Sequence, residues 1–144
     1  MKNVNFPRNM LCVFVALALV VIFHTNASAI EYKIANKITL GWDATAPVNA
    51  GESIEYAIYQ APESDKLSAV KLWQGPELEY TVTLAEEGIF LFGLETYRLV
   101  DIGGTIEKVS NSAIGWSDDP AVAPVPFGVR YYLPPPMGTG FGPK

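Results

Sequence analysis

Ile38, Leu40 and Trp42 alternate with Lys37, Thr39, Gly41 and Asp43. A period of two is the period of a β-strand, so the apolar side chains share one face and the others the opposite face. The pattern recurs along the chain. Ile54, Tyr56 and Ile58 oppose Glu55, Ala57 and Tyr59; Tyr80, Val82 and Leu84 oppose Glu79, Thr81 and Thr83. Phe90, Phe92, Leu94 and Thr96 share a face within the most apolar run, 89–100. Shorter strand candidates lie at 31–34, 69–73 and 110–116, the last with Ile114 and Trp116 pointing the same way, inward with Trp42. Turn residues separate them: Pro47, Asn49 and Gly51; Gln74-Gly75-Pro76; Glu86-Glu87-Gly88; and Asp101-Ile102-Gly103-Gly104, which has the backbone freedom of a hairpin. Six or seven short strands at regular spacing, with no helical period beyond residue 29, predict an all-β fold, an antiparallel β-sandwich.

The N-terminus has a different character. Lys2 and Arg8 precede an apolar run from Met10 to Phe23, and Ala27-Ser28-Ala29 follows as a small-x-small cleavage site. The run is shorter than the ~20 residues that span a bilayer. We therefore expect a signal peptide over 1–29, export (secreted, periplasmic or cell surface), and no membrane span after cleavage. Cys12 and His24, the only residues of their types, would leave with it.

That removal constrains chemistry. The exported chain would hold no disulfide, no Cys/His zinc site, no cysteine nucleophile and no Ser-His-Asp triad. It would keep 8 of the 10 basic residues against all 15 acidic ones, a net charge of −7. An acidic excess disfavours phosphate backbones, so no nucleic-acid partner is expected. The adjacent acids Glu86-Glu87 and Asp118-Asp119 fall in expected turns, where carboxylates are ordinarily solvated. The expectation is a protein that is not an enzyme and takes no cofactor or metal.

The same strands resemble the fibronectin type III family. Leu40-Gly41-Trp42-Asp43 resembles its second strand and Ile54-Glu55-Tyr56-Ala57-Ile58-Tyr59 its third, with Tyr56 as the inward tyrosine. Tyr80 to Leu84, the Gly88 turn and Phe90-x-Phe92-x-Leu94 resemble the fifth and sixth, and Asn111-Ser112-Ala113-Ile114 the seventh. The likeness covers 31–119 and implies an immunoglobulin-like sandwich. Phe90 stands where the family carries a corner tyrosine, and a phenyl ring cannot make that hydroxyl-to-backbone bond. The loop 101–108 contains no Arg-Gly-Asp, so the integrin contact of some members does not carry over.

The expected organisation is a signal peptide (1–29), a sandwich domain (30–119) and a Pro/Gly-rich tail (120–144) outside the core. Within the tail, Val129, Tyr131 and Leu133 alternate with Arg130 and Tyr132, which suits addition to a sheet edge. By strand parity Tyr59 and Tyr97 point away from the core, and Trp73 lies toward the surface. Candidate partner contacts are therefore Tyr59, Trp73, Tyr97, Val129, Tyr131 and Leu133. The leading expectation is an exported non-catalytic binding or spacer module that makes protein–protein contacts or self-associates. The alternatives are a structural subunit of an extracellular filament or fibre, and a carbohydrate-binding or carbohydrate-active accessory domain with a polysaccharide partner.

Overall fold

The computed structural model describes residues 29–135. But for Ala29, the expected signal peptide lies outside the described residues. Nine strands follow in chain order: β1 (Glu31–Ile34), β2 (Lys37–Gly41), β3 (Glu52–Pro62), β4 (Val70–Gly75), β5 (Glu79–Thr83), β6 (Gly88–Ile102), β7 (Thr105–Asn111), β8 (Gly115–Trp116) and β9 (Phe127–Tyr131). The described residues contain no α-helix; a 3-10 turn, Lys66–Ser68, starts where the Asp65 carboxylate accepts from Leu67 N–H at 3.0 Å. The chain is all-β.

β6 organises the larger sheet of seven strands. On one side β3 runs antiparallel to it from Glu52↔Val100 to Pro62↔Phe90. On the other side three short strands share its length: β9 at Phe90↔Val129, β8 at Gly93↔Trp116 and β7 as far as Ile102↔Thr105. The β6–β7 hairpin turns on Gly103 and Gly104, both at positive φ (65° and 88°), where a side chain would be strained. β4 lies outside β3 and β1 outside β9. β2 and β5 form a separate antiparallel pair, from Lys37↔Thr83 to Gly41↔Glu79. One hydrophobic cluster joins the two sheets: Leu40, Val82 and Leu84 from the small one pack with Ile58, Phe90, Phe92 and Val129 from the large one.

Four expectations change. The sheet is mixed, because β1 runs parallel to β9. The domain does not end at Asp119: β9 is an internal strand of the large sheet, and Val129 is wholly buried. Ser117 carries the chain across that boundary. Its N–H donates to Phe92 O at 2.8 Å, its hydroxyl accepts from Phe92 N and donates to Phe127 O, and its carbonyl accepts from Phe127 N. The prolines at 120, 124 and 126 shape the loop between β8 and β9, and Pro126 is buried.

Trp73 moves inward. The β3–β4 register shifts between Ile58↔Trp73 and Tyr59↔Lys71, which leaves Leu72 as an extra residue. The bulge lets Leu72 and Trp73 both pack against the core while Lys71 stays on the outer face. Trp73 stacks on Tyr80 (5.3 Å between centroids) and tilts against Trp42 at 5.9 Å.

Trp116 moves outward. Phe92 and Leu94 pack against the core, so Gly93 between them faces the other way. A Cβ built on Gly93 would collide with Ile114 Cγ2 and press on the Trp116 ring at 3.3 Å. Ile114 and Trp116 do point the same way, but onto the face opposite the core. Gly93→Ala is therefore expected to cost about 1–3 kcal/mol by urea denaturation, against about a few tenths for Ser53→Ala at an exposed position of β3. Equal midpoints would show that the Ile114–Trp116 cover moves aside freely.

Candidate protein-contact surface

Two surfaces stand out, and only one combines chemistry with room. The first is the outer face of the large sheet. Ala57 and Glu95 are register partners, as are Tyr59 and Gly93, so small residues leave space for the Tyr59 ring to lean toward Glu95. The Glu95 carboxylate, 7% exposed, accepts from Tyr59 OH at 2.6 Å, Tyr97 OH at 2.7 Å and Asn111 Nδ2 at 2.5 Å. Lys71 Nζ donates to Tyr97 OH at 2.8 Å, and Lys71 and Lys108 each sit 4.8 Å from the Tyr97 ring centre.

Burial by itself would raise the Glu95 pKa. The bonds from Tyr59, Tyr97 and Asn111, with the Lys71 charge, outweigh it and hold the carboxyl below its ordinary value. Burial, then the bond to Glu95, pushes Tyr59 well above a free phenol. Near neutral pH the carboxylate stays charged and the phenols stay protonated. Three donors already occupy Glu95, and Tyr97 is 3% exposed, so the cluster acts as a brace across β3, β6 and β7. It offers neither a free base nor a stacking platform.

The expected contact residues do not converge. Tyr59 and Tyr97 share the brace and Trp73 is in the core cluster's margin. Val129 is wholly buried and so faces no partner, while Tyr131 packs partly against the same core. Leu133, 53% exposed, is the most open of the six. Lys66 and Asp118 make an ion pair at 2.7 Å on the outer face beside the Trp116 ring, which ties the acid expected to be solvated.

The second surface is the free edge of β2. Leu84 N–H donates to Asn36 O at 2.8 Å and Trp42 N–H to Leu78 O at 3.1 Å, which fixes the phase of the β2–β5 ladder. Antiparallel bonds recur every second residue, so the even-numbered residues of β2 bond to β5. The N–H and C=O groups of Lys37, Thr39 and Gly41 point the other way, and β2 has no second neighbour among the described strands. Beside this edge lies a groove of about 770 Å³. Leu40, Trp42, Phe92 and Leu94 line it, together with Val122 and Val125 from the loop between β8 and β9. Lys33 and Asp43 are the charged residues of its lining. Sequence reading found the β2 alternation but missed this groove. A strand's partners are non-local, and the vacant side of β2 appears only once β1 is seen to pair with β9.

No protein-family model, curated protein or solved structure matches the chain. Among the described residues, no three His, Cys, Asp or Glu side chains cluster as metal ligands, and no helix is long and apolar enough to cross a membrane.

Proposed function

We propose that this chain is an exported, non-catalytic binding module that accepts an extended polypeptide segment along the free edge of β2. One observation carries the reading: the unpaired main-chain groups of Thr39 and Gly41 border a groove lined largely by apolar residues. An incoming strand gains main-chain hydrogen bonds from such an edge, and side-chain specificity from pockets at every second residue. The edge carries none of the proline or inward charge that commonly blocks unwanted pairing; Lys37 is its one charged residue.

The same reading takes the two sheets as a fibronectin type III or immunoglobulin-like sandwich. In that architecture the second and fifth strands pair in one sheet, and the third, sixth and seventh in the other. Here β2 pairs with β5, and β3, β6 and β7 share the larger sheet, in support of that assignment. The Ala27-Ser28-Ala29 site supports export.

Selection from a phage-displayed library of random peptides about a dozen residues long tests the contact. The chain starting at Ile30 should enrich segments with alternating apolar residues. Thr39→Pro removes an edge-facing N–H while sparing the main-chain bonds to β5, giving up there only the exposed hydroxyl contact with Thr81, and should reduce that enrichment at least about tenfold. Selection of no peptide, or of the same peptides by wild type and Thr39→Pro, would overturn the reading.

A further inference from the structure

The groove's occupant can be argued from where the chain leaves the fold. β9 and β1 run side by side in one direction, and Ala35 N–H donates to Arg130 O at 3.2 Å. The chain thus leaves β9 at the end of the molecule where β2 begins. Nine residues follow the described part: Pro136-Met137-Gly138-Thr139-Gly140-Phe141-Gly142-Pro143-Lys144. Met137, Thr139 and Phe141 alternate with Gly138, Gly140 and Gly142. In an extended strand this puts every side chain larger than hydrogen on one face. Five residues, 137–141, match the five of β2 in length, and their large side chains suit the apolar residues that line the groove.

The connection decides between the same copy and another. To lie along its own β2, the segment would have to turn back immediately after β9. Pro134, Pro135 and Pro136 stand at that point, and three consecutive prolines favour an extended rod of about 9 Å. An extended run of that kind opposes the reversal that would return 137–141 to their own groove. We propose that residues 137–141 of one copy add as a strand to β2 of the next, with Met137 and Phe141 seated in the neighbour's groove.

This rests on the β2 edge being a docking site and names what docks there. The contact is heterologous, because tail and groove are different surfaces, so it propagates instead of closing a pair. The protein becomes the repeating subunit of an assembly larger than a pair, a ring or an open filament. The donor face holds Met and Phe with a central Thr, to meet the groove's Leu40, Trp42, Phe92 and Leu94.

Light scattering on the chain starting at Ile30, across a concentration series, tests it. Mass should rise with concentration past a dimer. Phe141→Asp spoils the donor, and Val125→Asp spoils the groove at a lining residue 62% exposed, where folding tolerates the change. Each variant alone should stay monomeric. Mixed together they should form a one-to-one pair and nothing longer, because one good tail and one good groove remain. Wild type monomeric throughout, or association unchanged in Phe141→Asp, would overturn the inference. Association lost with Val125→Asp but kept with Phe141→Asp would overturn it too, while leaving the β2 edge as a docking site for some other strand. Two monomeric variants that fail to pair on mixing would also overturn it.

Discussion

A chain ending at Asp119 is expected to show no cooperative unfolding transition, whereas one ending at Pro135 should unfold like the full length. The shorter chain lacks β9. Val129 is wholly buried, and Phe127 and Tyr131 pack against the same cluster as Leu40, Ile58 and Phe92. Fully burying a side chain of this kind contributes about 1.5–3 kcal/mol; with Phe127 and Tyr131 partly buried, the three still supply several kcal/mol against the ~5–15 kcal/mol that a whole domain commands. The backbone loses as well. β1 pairs only with β9 among the described strands, so it would detach, and β6 would lose the β9 side of its ladder from Gly88 to Phe90. Ser117 would be left buried without the Phe127 carbonyl that accepts its hydroxyl. Circular dichroism during urea titration measures the outcome. A sigmoidal transition of unchanged midpoint in the Asp119 chain would mean that the cluster closes without β9.

The sequence argued for the reverse result, and the reason is physical. Proline density reads as a tail because proline cannot donate to a ladder. A loop uses the same property, and the prolines at 120, 124 and 126 lie where the chain swings from β8 to β9. The next residue, Phe127, supplies the N–H that meets Ser117 O. The alternation of Val129 and Tyr131 with Arg130 was legible as a strand; its place in the sheet was not, since pairing depends on residues some forty positions earlier. Elements set by local rules were read well. The β2 alternation, the long β6 run and the Gly103-Gly104 hairpin all follow from periodicity or backbone freedom within a few residues. Trp73 was misplaced because a bulge at Leu72 breaks strand parity, and nothing in Val70-Lys71-Leu72-Trp73 announces it. Trp116 was misplaced because β8 is only two residues long and takes its facing from Gly93 across the ladder.

Glu95 is the other position where one change should be severe. Glu95→Ala is expected to cost about 3 kcal/mol, because removing the shared acceptor leaves Tyr97 OH buried without its carboxylate, and Tyr59 and Asn111 without theirs. Asn111 is exposed and can turn to water, which keeps the figure from rising further. Glu95→Gln retains shape and one carbonyl acceptor, and should cost about 1 kcal/mol. The carboxylate also gives a pH signature. Its pKa is lower in the folded chain than in the unfolded one, so its contribution is complete above the ordinary glutamate range and disappears as pH falls through the lower, folded value. Glu52 acts in the same direction: the bonds from Arg98 and Asn49 bring it to about 2, so acid keeps weakening the fold down to about pH 2. Wild type should therefore lose stability steadily below about pH 4.5, and Glu95→Gln should lose less of it over the same span. Urea midpoints from pH 7 to pH 2 for both proteins measure the difference. Parallel curves would mean that Glu95 titrates alike folded and unfolded, and that the tyrosine brace does not hold its charge.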